Sequence, residues 1–263
     1  GVPEIFFADV PLKVIILEDL GDATMESMIR SVPEERPEYY KKAIDLLVEM
    51  QVFTASSGAG DCVAYGRKFD FDLLMWEFEH FHQYCLLELG KRRPSTAEEE
   101  MLSAVYREIS LTLSNLPYIF THRDFQSRNL MVKGKGLRLI DFQDALLAPI
   151  PYDLTALLRD SYVKLPAGEI EFLISYYIEK RKARFDDGFT AGEFRRWFHL
   201  QTIQRKLKDA GRFVYIDRVK KNPKFLPNIP VSLGYAAGAM KALGSYGEFM
   251  GLIASLLGDY IDV

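Results

Sequence analysis

A polar segment followed by two short apolar runs constrains the fold of this 263-residue chain more than any other feature. The polar segment spans 121–129 and has the letters THRDFQSRN. The apolar runs cover 130–132 and 137–140, and the four residues Lys-Gly-Lys-Gly separate them. Short β-type runs on either side of a glycine-containing turn predict a β-hairpin. The polar segment is then the loop that enters this hairpin.

The expected register of the hairpin brings three polar residues to its open end. If Val132 pairs with Leu137, Asn129 and Asp141 lie side by side, within about 5–6 Å across the ladder. Asp124 lies on the loop that enters the same end. A carboxylate and an amide oxygen are hard ligands that suit Mg²⁺ bound together with substrate phosphates. A second carboxylate beside them can orient an attacking hydroxyl group.

Each of these three residues also has a purely structural interpretation. Asp124 and Asn129 can shape turns, and Asp141 can cap the exit of a strand. Taken together, however, their spacing matches the H-R-D-x-x-x-x-N catalytic loop of protein kinases, and Asp141 stands in the place of the D-F-G aspartate. We therefore predict a kinase-type phosphate site.

The rest of the sequence predicts a small strand pair followed by a mainly helical body. Residues 4–8 and 13–17 are short apolar runs separated by a turn, which is typical of two strands. Residues 118–121 form a further strand-like run before the polar segment. Helices are predicted over 24–29, from Pro37 onward, from Asp70 or Asp72 to Leu89, over 96–113 with Thr96 as the cap and Glu99 completing a capping box, and over 152–159, 168–184, 191–213 and 231–257.

Charge and hydropathy exclude two classes of partner. The formal net charge is −4, whereas a basic domain is the usual mark of a nucleic-acid-binding protein. No apolar run reaches the ~18 residues that a membrane span requires, and no signal peptide opens the chain. We therefore expect a cytoplasmic protein that binds neither nucleic acid nor membrane. The sequence leaves the oligomeric state open.

Three segments carry a resemblance to a known family. Residues 122–132, 140–145 and 152–160 resemble the aminoglycoside phosphotransferase and choline kinase-like family, which shares the protein kinase-like fold. Within that family they are most similar to the anomeric kinases that phosphorylate N-acetylmuramate and N-acetylglucosamine in cell-wall recycling. Residues 200–208 strengthen this resemblance.

The resemblance implies a fold and an activity. The fold is α+β and protein kinase-like, with a mostly helical large lobe over 23–263 that carries the catalytic hairpin. Residues 1–22 are then the remnant of the small-lobe strands and the hinge. The activity is transfer of the γ-phosphoryl group of ATP, with Mg²⁺, to a hydroxyl group of a small-molecule amino sugar or related alcohol.

The resemblance also implies roles for individual residues. Asp124 resembles the catalytic base, and Asn129 and Asp141 resemble the metal ligands. The hinge backbone that pairs with the adenine edge corresponds to Leu17, Glu18, Asp19 and Leu20. Asp153 resembles the buried carboxylate that braces the catalytic loop, and His122 supports that loop.

The candidates for acceptor binding are less specific. Gln143 and Asp144 follow the predicted metal ligand. Arg159 and Asp160 either bind sugar hydroxyl groups or cap a helix. Arg205 and Lys208 are three residues apart on a helix, and they form either a wall that binds the lactyl carboxylate of N-acetylmuramate or a solvated basic face.

One departure from the family pattern is large. The phosphate-covering loop and phosphate-binding lysine of the family precede the hinge strand, but here only about a dozen residues precede it. Lys13 is too close to the hinge to be that lysine, and no glycine-rich phosphate motif occurs. We expect a truncated small lobe and poor turnover by this piece alone. The alternative is a chain that naturally lacks half of the structure that holds the nucleotide.

The rival functions are an aminoglycoside, choline or homoserine kinase, and a non-catalytic kinase-like binding module.

Overall fold

The computed structural model of the chain describes residues 1–58 and 60–260. Helices make up most of it: α1 Met25–Ser31, α2 Arg36–Ser56, α3 Phe71–Phe81, α4 Leu87–Leu89, α5 Thr96–Ser114, α6 Tyr152–Leu158, α7 Ala167–Lys182, α8 Ala191–Lys220, α9 Ile229–Leu243 and α10 Gly247–Leu257. The strands are short: β1 Ile5–Asp9, β2 Val14–Leu17, β3 Tyr118–Thr121, β4 Leu130–Lys133, β5 Gly136–Leu139 and β6 Leu146–Pro149. They form three two-stranded ladders, β1–β2, β3–β6 and β4–β5. The α+β class with a mostly helical body is therefore confirmed.

The chain divides into two compact units. The first unit contains residues 1–67, 119–147 and 156–191, and the second contains 68–118, 148–155 and the residues from 192 onward. The first unit thus holds the predicted hinge, the predicted catalytic loop and the hairpin. The division into lobes at residue 22 stays a prediction. Among the described residues, no helix combines the length and the apolar character that crossing a membrane would require.

The β4–β5 hairpin has the predicted register. Val132 pairs with Leu137, and the antiparallel ladder runs from Leu130 opposite Leu139 to the turn. Gly134 lies in this turn with φ of +60°. A two-residue hairpin turn needs a positive φ at a central residue, which glycine adopts without steric cost. The Lys-Gly-Lys-Gly sequence therefore sets the position of the turn.

The start of α5 differs from the prediction by one residue. The cap of α5 is Ser95, whose hydroxyl group accepts from the Glu98 N–H, while the Glu98 carboxylate accepts from the Ser95 N–H at 2.8 Å. The predicted Thr96–Glu99 box is one residue late, because Arg92 also binds the Glu98 carboxylate at 2.7 Å and holds it at the helix start. This pairing and the bonds from Ser95 lower the pKa of Glu98 to about 2.

The predicted terminal helix is two helices. α9 ends at Gly244, which has a φ of +69° and donates its N–H to the carbonyls of Met240 and Lys241. This left-handed residue is a common helix ending, because glycine adopts it without strain. The chain then turns and starts α10 at Gly247. The glycines at 244 and 247 are the sequence signal for this break.

The second unit depends on a close approach of α3 and α8. A Cβ atom at Gly211 of α8 would lie 2.6 Å from Phe81 Cα and 2.8 Å from the His80 carbonyl oxygen. Real Cβ atoms do not approach backbone atoms so closely, so only glycine allows this spacing. Along the same pair of helices, Gln204 donates to the buried Glu77 carboxylate at 2.9 Å.

We expect Gly211→Ala to lower the free energy of unfolding by about 1–3 kcal/mol, since added atoms in a packed interior force backbone shifts. Gly238→Ala in α9 is the matched control, because a Cβ there meets nothing within 4 Å. That control should match the wild type or gain up to about 1 kcal/mol from the better helix propensity of alanine. Urea denaturation of the three proteins measures the difference, and equal stability of both variants contradicts the close approach.

Candidate active site

The predicted catalytic loop, residues 122–129, connects β3 with the hairpin. Phe125 anchors it, because its side chain is fully buried and meets the edge of the His122 ring. The loop closes in a 3₁₀ turn over Ser127–Asn129, where the Asn129 N–H donates to the Gln126 carbonyl at 2.9 Å. β4 begins at the next residue. Asp124, which is half-buried, therefore lies on a loop held at both ends.

Two residues of the site adopt left-handed backbone conformations. Arg123 has φ of +77° and immediately precedes Asp124, and Asp141 itself has φ of +71°. Residues other than glycine adopt such angles only when their surroundings hold them there, and these conformations are frequent at active sites. A left-handed residue thus directly precedes Asp124, and Asp141 is itself left-handed.

Hydrogen bonds orient the Asn129 side chain. Its Nδ2 atom donates to the Asp124 carbonyl oxygen at 2.8 Å, so its Oδ1 atom faces away from that bond. An amide oxygen oriented in this way is available as a hard ligand. The same bond ties the predicted metal ligand to the backbone of the predicted base.

The hairpin ladder corrects one detail of the prediction. The Ile140 N–H donates to the Asn129 carbonyl oxygen at 3.1 Å, so Ile140, rather than Asp141, lies opposite Asn129. Asp141 is the next residue, is exposed, and accepts from the Gln143 amide at 2.7 Å. The discrepancy arises because the confirmed pairs of the ladder place residue 129 opposite 140, one position before the aspartate.

His122 joins the loop to the end of the hairpin. Its Nε2 atom lies 2.9 Å from the Ile140 carbonyl oxygen, and only 1% of the residue is exposed. Burial lowers the pKa of His122, and the bond to the Ile140 carbonyl opposes this shift only in part. A neutral imidazole that donates from Nε2 supports the loop, which favours the predicted supporting role.

The predicted hinge, residues 17–20, uses part of its backbone internally. The Glu18 N–H donates to the Glu4 carbonyl at 2.8 Å, and the Lys133 ammonium donates to the Asp19 carbonyl at 2.6 Å. Within residues 1–58 and 60–260, the Glu18 carbonyl, the Asp19 N–H and both backbone groups of Leu20 have no hydrogen-bond partner. The segment could pair with an adenine edge through these groups.

The acceptor candidates of the first unit separate into exposed and buried residues. Gln143 and Asp144 are exposed after β5. Asp160 is buried, and its carboxylate accepts hydrogen bonds from Ser127 and from the Tyr162 N–H, which favours a structural role over sugar binding. Arg159 is half-buried and precedes it. Nothing in the residue spacing indicates the contact of Tyr162 with this loop.

Asp153, Arg205 and Lys208 lie in the second unit. Asp153 and Arg205 are buried, and the Arg205 guanidinium lies 5.0 Å from the centre of the Tyr152 ring. The Lys208 ammonium lies 3.0 Å from the Asp209 carboxylate, and this pairing raises the pKa of the lysine. The alternative of a solvated basic face is therefore wrong for Arg205, whereas its contact with an acceptor carboxylate stays a prediction.

The donor set of the loop fits a hard divalent cation. Asn129 contributes an amide oxygen and Asp141 a carboxylate, and Mg²⁺ prefers both. In the described part of the chain, no three His, Cys, Asp or Glu side chains converge into a metal site. A cation at Asn129 and Asp141 would therefore be completed by phosphate oxygens and water, as is usual for Mg²⁺ bound with a nucleotide.

Comparison with protein families identifies the class of the chain. The model of the phosphotransferase enzyme family matches residues 7–193, which is more than half of the sequence. The chain belongs to the phosphotransferase enzyme family. The predicted catalytic loop, the hairpin and Asp153 all lie inside the matched range.

Two curated relatives share most of the chain. The N-acetylmuramate/N-acetylglucosamine kinase of Neisseria meningitidis serogroup B is 29% identical over 265 residues, covering 98% of this chain and 76% of the relative. The enzyme of the same name from Pseudomonas aeruginosa is also 29% identical, covering 97% of this chain and 73% of the relative. This chain is thus similar to two N-acetylmuramate/N-acetylglucosamine kinases over nearly its whole sequence.

A solved structure shares its fold. The choline kinase of Cryptosporidium parvum Iowa II superposes with a TM-score of 0.61, covering 95% of this chain and 75% of that structure at 11% identity. This likeness confirms the kinase-like fold. Membership of a kinase-type phosphotransferase family also implies that the chain uses ATP.

The lowered pKa of His122 predicts how stability depends on pH. The unfolded chain, in which histidine has a pKa near 6.5, binds more protons below that pH than the folded protein does, so stability falls as pH falls. His122→Gln keeps an N–H donor for the Ile140 carbonyl but removes the titration. The wild type should therefore lose more stability than this variant between pH 7.5 and 5.5 in urea denaturation. A steeper loss in the variant contradicts a buried neutral imidazole.

Proposed function

We propose that this phosphotransferase transfers the γ-phosphoryl group of ATP to a hydroxyl group of an amino sugar, with N-acetylmuramate or N-acetylglucosamine as the acceptor. The observation that carries the proposal is the bond from the Asn129 amide to the Asp124 carbonyl, next to a left-handed Asp141 at the end of the same hairpin. This arrangement provides one base and two hard cation ligands. The acceptor class is supported by the names of the two relatives and by a similarity that covers 98% and 97% of this chain.

The proposed mechanism depends on positioning. Asp124 accepts a hydrogen bond from the acceptor hydroxyl group, orients its oxygen toward the γ-phosphorus and receives its proton as the new O–P bond forms. Asn129 Oδ1 and the Asp141 carboxylate would hold Mg²⁺, which would supply positive charge to neutralise the phosphates. The leaving group is ADP, and no covalent enzyme intermediate is needed. The backbone bonds of the loop therefore matter as much as the side chains, since small displacements of reacting groups are costly.

The nucleotide is proposed to lie against the hinge. The Glu18 carbonyl and the Leu20 N–H would meet the adenine edge, because they are among the hinge groups that form no internal hydrogen bond in the described residues. His122 is proposed to support the catalytic loop rather than to contact the substrate, and its burial accords with that role. Asp153 is also buried, and it is proposed to have a structural role without contact to the substrate.

We expect Asp124→Asn to lower kcat for phosphorylation of the sugar by about 10²–10⁴-fold, the usual contribution of a general base. The amide cannot take the proton, which explains the lower kcat. Because it has the same size as the carboxylate, the melting temperature should stay close to that of the wild type. Release of ADP in a coupled assay measures turnover, and Asp61→Asn, an exposed aspartate on a loop, is the matched control. A variant with a kcat within tenfold of the wild type removes Asp124 from the mechanism.

An acceptor panel tests the substrate class. With saturating ATP, kcat/KM for N-acetylmuramate or N-acetylglucosamine should exceed that for choline, homoserine and an aminoglycoside by about 100-fold, since a site built for one set of hydroxyl groups rejects acceptors that leave its polar groups unpaired. ADP release and mass analysis of the phosphorylated product provide the measurement. Preference for choline or an aminoglycoside reassigns the acceptor, and no turnover of any compound by the full-length protein favours the binding-module alternative.

A further inference from the structure

A buried carboxylate from a distant part of the chain holds the turn that carries Asn129. Asp160 Oδ2 accepts hydrogen bonds from the Ser127 N–H at 3.1 Å and from the Ser127 hydroxyl group at 2.5 Å. Asp160 Oδ1 accepts from the Tyr162 N–H at 2.9 Å. Asp160 is 1% exposed and Ser127 is fully buried. Both carboxylate oxygens are thus bound to protein groups within the first unit.

The same segment also holds the residue between Ser127 and Asn129. The Arg128 guanidinium lies 3.6 Å from the centre of the Tyr162 ring, a distance typical of direct stacking. The Tyr162 carbonyl in turn accepts from Arg30 of α1 at 3.1 Å. Residues 160–162 therefore fix both residues that precede Asn129 in its 3₁₀ turn.

We propose that Asp160 and Tyr162 are positioning residues that set the location of the Asn129 side-chain oxygen, and that Asp160 does not bind the acceptor. This inference rests on the proposed role of Asn129 as a cation ligand. Ser127 is two residues from Asn129, so rotation of the turn moves the amide oxygen directly. Neighbouring groups that orient a ligand typically contribute 10–100-fold to metal affinity or activity.

A positioning role and an acceptor-binding role can be distinguished, because substitutions of Asp160 would change different kinetic and binding constants in the two cases. A residue that binds sugar hydroxyl groups affects the KM for the sugar. A residue that positions a cation ligand affects the affinity for the divalent cation and the kcat, and leaves the KM for the sugar nearly unchanged. A residue that only stabilises the fold changes none of these three constants in the folded protein.

The experiment measures Mn²⁺ binding in the presence of a non-hydrolysable ATP analogue, by water-proton relaxation, alongside steady-state kinetics. Asp160→Asn and Ser127→Ala should each weaken Mn²⁺ binding about 10-fold or more, lower kcat, and change the KM for the sugar less than twofold. Ser127→Ala keeps the backbone bond to Asp160, so it remains informative if Asp160→Asn does not fold. Tyr162→Phe retains the ring over Arg128 and should match the wild type, whereas Tyr162→Leu should weaken Mn²⁺ binding.

Two reference variants separate the possible outcomes. Gly211→Ala lowers stability in the second unit without touching this loop, so its Mn²⁺ affinity should stay at the wild-type value. Asn129→Ala removes the proposed ligand, and wild-type Mn²⁺ affinity in that variant overturns the metal assignment itself. If Asn129→Ala is impaired but Asp160→Asn and Ser127→Ala bind Mn²⁺ as the wild type does, the positioning role is wrong. A raised KM for the sugar with unchanged Mn²⁺ affinity assigns Asp160 to the acceptor instead.

Discussion

The pairing of β4 with β5 is the constraint on which the candidate site depends. The ladder extends past the strands through the bond from the Ile140 N–H to the Asn129 carbonyl, and His122 binds the Ile140 carbonyl from the loop side. Side chains alternate along a strand, so a slip of one residue would turn Asn129 to the opposite face. The short hairpin therefore positions the loop of Asp124 as well as both proposed cation ligands.

Buried polar groups link this hairpin to the rest of the first unit. A carboxylate such as that of Asp160 is costly to bury unless hydrogen bonds compensate for the lost water, and here Ser127 and Tyr162 supply them. The left-handed backbone angles at Arg123 and Asp141 are also energetically unfavourable, and they persist only because the surrounding structure holds them. Both unfavourable features occur where the loop is held in one geometry. The proposed phosphoryl transfer, which depends on positioning, requires such a fixed loop.

Local patterns predicted the parts of the fold that local interactions determine. The register from Val132 and Leu137 is confirmed, because a glycine-containing turn and alternating side chains leave few other pairings. The cap of α5 was predicted one residue late, since the choice between Ser95 and Thr96 depends on Arg92 binding the Glu98 carboxylate. Of the two alternatives for Arg205, the solvated basic face was wrong, because burial of a charged residue depends on neighbours that periodicity does not reveal.

The sequence by itself determined the hairpin, the residue types at its open end and the family resemblance, since turn chemistry and motif spacing are properties of neighbouring residues. Only the tertiary structure decided what holds these groups in place. Asp160 meets Ser127 across 33 residues of sequence, and Gly211 meets Phe81 across two helices. Such contacts depend on how distant segments pack and on which polar groups lose access to water, and no local pattern specifies either of these.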